Sequence, residues 1–427
     1  MPMLKTRVIH ADAVVTGDAD VLRDGAIVVD ESGAILDVGR ASDVLPAHAG
    51  LAPERVRGVV FPGLVNAHTH VELSAMRGLV TGGVGFVPWI ERLVGVRVEA
   101  RPEEDDAAIE RAASDLHAFG TSAVGEVSNS LVAVCALARH GLGGVVFDEV
   151  LGVKREESLA RLESLDEARA ARMGEWPSDD LAYAPAPHTL YTTHPDVARR
   201  AFEVARDRGV RSSLHLAEHA PERRAIEAGE GPVAEWFARM KLDRAWPKRP
   251  LFDVAADLGA LFPNVLLVHL TDARPEELER VAKSGAQVVL CPRSNLYIET
   301  KLPPLLAVRA AGIEAALGTD SLASNASLDV LAEARALADR FSTVRAEELL
   351  RMATWNGARA LGRPDLGRIA RGARPGVVAV LGEVGDDPCG FLLRSLRAPR
   401  QWLVARTAGR QIPGSSGGWS TPVGGRT

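Results

Sequence analysis

The 427-residue chain carries 50 Lys and Arg against 56 Asp and Glu, a formal charge of −6, with 46% hydrophobic and 25% charged residues. This is the make-up of a globular enzyme, and the net charge argues against nucleic acid as a main partner. No apolar run is long enough to cross a bilayer, no basic-then-apolar signal pattern opens the chain, and Cys135, Cys291 and Cys389 form neither a disulfide framework nor a CxxC site, so a cytoplasmic protein is expected.

In chain order, TRVIHADAVVTGD and GAIVVDESGAILDVG read as strands joined by Gly, Asp and Ser turns. From residue 59 the texture changes. Eight short apolar runs recur, at 59–67, 121–127, 143–151, 181–188, 211–218, 264–270, 286–292 and 314–320. Helical stretches follow them, among them PEEDDAAIERAASDLHAFG and HPDVARRAFEVARDRG, with apolar residues at helical spacing. Such runs read as fully buried parallel strands, and eight β–α units in series predict a (β/α)₈ TIM-type barrel over residues 59–368. GRIARGARPGVVAVLG and QWLVARTAGRQI return to strand texture. A small β-sandwich domain is therefore expected from residues 1–58 plus 369–414, and residues 415–427 read as a flexible tail.

In a barrel, chemistry gathers at the C-terminal ends of the strands. Those ends carry His68 and His70, then His188, then His215 with Glu218 and His219, then His269, then Asp320. His68 and His70 are two apart, so on a strand they face the same side. A lone histidine there would read as a hydrogen-bonded core residue. Imidazoles at four strand ends with a carboxylate at a fifth are the donors that Zn²⁺ or Fe²⁺ selects. Glu218 fits either a surface glutamate at a helix start or a proton carrier beside a metal-activated water. His219 reads as structural, and His10, His48, His117, His140 and His194 receive no role.

With these residues in place, the chain resembles the amidohydrolase superfamily over nearly its whole length. PGLVNAHTH, HLAE, VHL and LGTDSLASN resemble the metal motifs of its strands one, five, six and eight. CPRSNLYI resembles the strand-seven segment of the branch that deaminates purines and purine nucleosides. The resemblance implies that His68, His70, His215 and Asp320 hold one divalent ion, zinc with iron as the alternative. It implies that His269 touches the reacting water or the substrate, that Glu218 is the proton shuttle, and that His188 in APAPHTLY contacts substrate. Asp320 would also accept the water proton.

Three departures bear on mechanism and substrate. Binuclear members bridge two metals with a carboxylated lysine at strand four, where this chain has His188, so one metal is expected. The methylthioadenosine and S-adenosylhomocysteine deaminases carry an arginine after strand three, where FDEVLG places Asp148 and Glu149. A glutamate for ribose hydroxyls is expected after PWIERLV, and Glu91 and Glu99 compete for it. Glu72, Ser74, Trp89 and Ser324 are placed among pocket residues. Arg293 is open between a structural loop arginine and a partner for a substrate carboxylate or hydroxyl.

The expected reaction is hydrolytic deamination of an aminopurine nucleoside, releasing ammonia. HTHVELS and CPRSNLYIETKLPPL resemble most the aminodeoxyfutalosine deaminases of menaquinone synthesis. Deamination of methylthioadenosine, S-adenosylhomocysteine or another purine, a triazine-type chlorohydrolase, a cyclic amidohydrolase and an inactive binding scaffold are the alternatives. The partner would be a small nucleoside, with a homodimer suggested by the resemblance.

Overall fold

The computed structural model describes residues 6–18, 20–99 and 102–406; the expected tail at 415–427 lies outside the described residues. Its strands are β1 (Arg7–Val15), β2 (Val21–Val29), β3 (Ile35–Arg40), β4 (Pro53–Pro62), β5 (Leu64–Thr69), β6 (Thr121–Ser128), β7 (Gly143–Val150), β8 (Leu181–Pro187), β9 (Ser212–Leu216), β10 (Val265–His269), β11 (Gln287–Leu290), β12 (Ala316–Leu317), β13 (Val377–Leu381) and β14 (Gln401–Val404).

The two chain ends share one six-stranded sheet, in the order β14-β13-β4-β1-β2-β3. β1 pairs parallel with β4, and the other neighbours are antiparallel. Alternation along β1 sends Ile9 and Ala11 to one buried cluster and Val8 to another, the latter covered by the helix Ala41–Ala47. Among the described residues this is a single sheet, with no second sheet facing it as a sandwich would require. Residues 59–62 extend β4 in this sheet, across the expected boundary at residue 58, so the site-bearing strand β5 begins only at Leu64.

The central chain is an α/β fold with two four-stranded parallel sheets, β5-β6-β7-β8 and β9-β10-β11-β12. The seven later apolar runs each contain one of these strands, because a strand buried on both faces is apolar throughout. Val65, Val127, Phe147 and Ala186 of the first sheet meet Leu266, Val268 and Val289 of the second in one buried cluster. The outer face is covered by helices such as Pro195–Asp207, which buries Val197, Ala198, Ala201, Phe202 and Ala205 along one stripe.

Isolated parallel bridges link the two sheets at both seams, Thr69 to Asp320 and Thr189 to His215. At the first seam the carbonyl of His68 accepts from the backbone N–H of Thr319 (2.9 Å) and of Asp320 (3.1 Å). Asn66 adds two side-chain bonds to Thr319, at 2.7 and 3.1 Å. At the second, the His188 carbonyl accepts from His215 N–H at 3.0 Å. Gly318 makes the first seam possible, since a Cβ there would stand 2.7 Å from His68 Cβ and 2.8 Å from its carbonyl oxygen.

Candidate active site

The strand ends converge. His68 and His70 leave β5, His215 sits in β9, His269 ends β10, and Asp320 follows β12 across the seam. The chain turns at Asp320 with φ of 56° and at His269 with φ of 78°, a conformation that costs a non-glycine residue of order 1 kcal/mol or more. At His269 this turn matters: Leu266 and Val268 face the inner cluster, so regular pleating would send His269 outward.

His70 Nε2 lies 3.4 Å from His215 Nε2 and 3.6 Å from Asp320 Oδ1, and His68 Nε2 is 3.8 Å from the same oxygen. His68 is fully buried, yet neither of its ring nitrogens has a hydrogen-bond partner. His215 donates Nδ1–H to the His188 carbonyl at 2.9 Å, which leaves the Nε2 lone pair facing His70. Burial first, then the neighbouring imidazoles, holds His68 well below the usual histidine range and His215 at about 3. These rings are therefore neutral, with lone pairs directed at one another. Burial opposes ionisation of Asp320, yet the surrounding imidazoles, His70 foremost, and a bond from Ser294 hold its carboxyl below the ordinary range. Ser294 and Ser324 donate to Asp320 Oδ2 at 2.5 and 2.9 Å, so Oδ1 is the oxygen left for the site.

Imidazole nitrogens, among them both of the unpartnered His68 ring, gathered around a carboxylate oxygen fit a divalent cation. His68, His70, His215 and Asp320 could hold it. His269 differs from them. Asn295 Nδ2 donates to its Nδ1 at 3.2 Å, so a neutral ring carries its proton on Nε2, which lies 3.6 Å from Glu218 Oε1. Glu218 is 8% exposed, and burial, with the charges of Asp320 and Glu299, raises its carboxyl well above the usual range. Its carboxyl thus stands beside a hydrogen-bond donor.

The other anticipated residues divide. His188 reaches the site edge, with Nδ1 2.6 Å from Thr192 Oγ1 and Nε2 4.0 Å from Glu149 Oε1. Ser324 acts on Asp320 rather than facing a substrate. Glu72 is buried and accepts from Ser128 Oγ (2.9 Å), Asn129 N (3.0 Å), Ser130 N (3.2 Å) and Ser130 Oγ (2.7 Å), so its carboxylate shapes the loop after β6 instead of meeting substrate. Ser74 donates to the Val71 carbonyl. Trp89 is 6% exposed and packs in the main core beside Phe86. Arg293 donates to Ser327 Oγ at 3.1 Å and lies 3.7 Å from buried Glu333, which pairs it with protein groups. Glu91 forms an exposed pair with Arg239 at 2.6 Å, and the Glu99 side chain lies outside the described residues. His219 accepts the N–H of Glu222 at 3.0 Å and caps the helix Ala220–Ala228, the structural part expected of it. Sequence reasoning missed Ser294 and Asn295, although both stand in the quoted CPRSN segment, and did not place Glu149 in the site.

A match to the Amidohydrolase family covers residues 59–395. The chain belongs to the amidohydrolase family. Proteins similar to this amidohydrolase include the aminodeoxyfutalosine deaminase of Deinococcus radiodurans, 30% identical over 373 residues that cover 83% of this chain and 86% of that protein. The 5-methylthioadenosine/S-adenosylhomocysteine deaminase of Halobacterium salinarum is 31% identical over 385 residues, covering 87% and 82%. The crystal structure of Helicobacter pylori aminofutalosine deaminase in complex with methylthio-coformycin superposes with a TM-score of 0.83 at 26% identity, covering 95% of this chain and 100% of that one. This amidohydrolase is a hydrolase acting on carbon–nitrogen bonds, and its family is metal-dependent.

Proposed function

We propose that the protein is a hydrolytic deaminase of an aminopurine nucleoside, with the two parallel sheets as halves of one eight-stranded barrel and zinc held by His68, His70, His215 and Asp320. The observation that carries the reading is the junction of this donor set with the His269–Glu218 pair at 3.6 Å. A divalent ion bound there supplies a Lewis acid that lets water give up a proton near neutral pH.

The remaining steps belong to the chain. Asp320, steadied through Oδ2, accepts the water proton at Oδ1. His269 donates through Nε2–H and orients the attacking oxygen. That oxygen adds to the carbon bearing the amino group. Glu218 hands its proton to the adjacent ring nitrogen, so the carbon becomes tetrahedral without a nitrogen anion forming. The proton held by Asp320 then passes to the amino group, the carbon–nitrogen bond breaks and ammonia leaves, while the hydroxyl proton of the adduct goes to the Glu218 carboxylate and a carbonyl forms.

The relatives support aminodeoxyfutalosine as the first substrate to try, and the Halobacterium salinarum relative supports methylthioadenosine or S-adenosylhomocysteine as the second. Against the first stands the engagement of Arg293 with Glu333 and Ser327, which removes the cation expected to meet its carboxylate. Ammonia release from zinc-loaded enzyme, measured with aminodeoxyfutalosine, methylthioadenosine, S-adenosylhomocysteine, adenosine and chlorotriazines, decides among them. Turnover of a nucleoside is expected. Chloride release from the triazines with no ammonia from any nucleoside would overturn the proposal.

A further inference from the structure

Glu149 is a buried carboxyl that the chemistry above does not use. It stands near the C-terminal end of β7, two residues after Phe147, so alternation sends it to the inner side with Phe147. Asp148 points the other way and accepts from Tyr183 Oη at 2.7 Å. Glu149 Oε2 accepts from Asn129 Nδ2 at 2.9 Å. Glu149 Oε1 is buried and has no hydrogen-bond partner, although the residue is only 4% exposed. Among the described residues, the groups within ion-pair range of this carboxyl are His188 Nε2 at 4.0 Å and His215 Nδ1 at 3.8 Å, and the latter already donates to the His188 carbonyl. A carboxyl oxygen removed from water without a donor is costly, and a ligand donor would relieve that cost.

Position narrows the ligand. The groups that act on the reacting bond, Glu218, His269 and Asp320, come from the ends of β9, β10 and β12. Asn129, Glu149 and His188 follow or end β6, β7 and β8, on the opposite arc of the site. In a purine nucleoside the sugar is attached at the far side of the ring system from the amino-bearing carbon. With that carbon at the metal donors, the sugar is directed to the β6–β8 arc. What a sugar offers there is hydroxyl donors. Resting on the nucleoside reading, we infer that Glu149, with His188 beside it, receives a sugar hydroxyl of the substrate and is a specificity-determining residue. A substrate carboxylate is disfavoured at the same place, because two acceptors would face each other without a proton donor.

The isosteric variant is informative for a geometric reason. Asn129 Nδ2 requires an acceptor, so in Glu149→Gln the amide oxygen takes the Oε2 place and the NH₂ group takes that of Oε1. An acceptor becomes a donor with little change of shape. The test uses zinc-loaded enzyme and a 6-aminopurine riboside with its 2′-deoxy and 3′-deoxy analogues, reading kcat/KM in wild type, Glu149→Gln and Glu149→Ala. Wild type should lose about 10-fold or more on one deoxy analogue, the loss typical of a hydrogen bond to a charged group. Glu149→Ala should lose a similar factor on the riboside and no longer distinguish it from that analogue, whereas Glu149→Gln, whose NH₂ group donates to the hydroxyl oxygen instead, should fall between wild type and Glu149→Ala, with zinc content unchanged in both variants. Equal discrimination by wild type and variants would overturn the assignment, as would a wild type indifferent to both hydroxyls, which needs no variant. Absence of turnover with every nucleoside, beside turnover of a triazine, would instead sink the nucleoside reading and this subsite with it.

Discussion

Replacing Glu218 by Gln isolates the proton-transfer step. Its carboxyl is buried, stands 3.6 Å from His269 Nε2, and belongs to none of the metal-donor groups around His68 and His215. The amide matches it in volume, and the backbone N–H of Glu218 keeps its bond to Glu222 Oε2 at 2.9 Å. Metal content should therefore stay at the wild-type level. Stability should barely change, because burial and the charges of Asp320 and Glu299 already favour the neutral carboxyl that glutamine imitates. What disappears is the transferable proton. Positioned acid–base groups typically contribute about 10²–10⁴-fold, or about 3–5 kcal/mol of barrier. Since Asp320 and His269 remain, residual activity above background is expected. Initial rates of ammonia release at saturating substrate, with zinc per chain measured on the same sample, give the answer. A Glu218→Gln enzyme with full zinc and a kcat within a few-fold of wild type would refute the reasoning.

Three further outcomes are expected. Burial raises Glu222 to about 8, above its unfolded value, so the folded state holds a proton that the unfolded state releases. Stability therefore falls as pH rises from the unfolded pKa towards 8, by about 1.4 kcal/mol per unit in that window. Glu222→Gln should melt with wild type near the acid end and progressively above it up to pH 8, whereas parallel melting curves would contradict this. Gly318→Ala pushes a methyl against His68 Cβ and its carbonyl, at 2.7 and 2.8 Å, and should cost about 1–3 kcal/mol together with most of the bound zinc; full zinc occupancy at unchanged melting temperature would show that the seam yields. Arg293→Met removes the bond to Ser327 and the cation 3.7 Å from buried Glu333, a carboxyl that burial already raises to about 8 and that keeps its bonds from Arg293 N–H and Asn325, so stability should drop by about 1 kcal/mol while KM holds. A tenfold rise in KM at unchanged stability would return Arg293 to the substrate.

Legibility followed the range of the interaction. The metal donors could be read because each closes or follows an apolar run, and a polar residue there contradicts its surroundings. His68 with His70, and HLAE with its carboxylate, are local patterns on local elements. The surroundings of Glu72 and Arg293 could not be read because their partners are distant in the chain: Glu72 is met by residues 128–130, and Arg293, open between two parts in the sequence, by Ser327 and Glu333. Residues 59–62 misled for another reason. An apolar β-branched run has the same texture in either sheet, and only the pairing of Val59 and Val60 with β13 assigns them to the terminal one.

The amino-acid order by itself determined the alternation of buried strands with amphipathic helices, and which ionisable groups stand at the strand ends, since both depend on neighbours a few residues away. Tertiary structure alone decided what each carboxyl meets. Asp148 and Glu149 are adjacent and chemically alike, but the pleat turns one outward to Tyr183 and the other inward beside His188. Whether an acid serves the fold or a ligand depends on what lies within a few ångströms of its oxygens. For Glu149 those neighbours come from β6, β8 and β9, brought together only when the strands assemble.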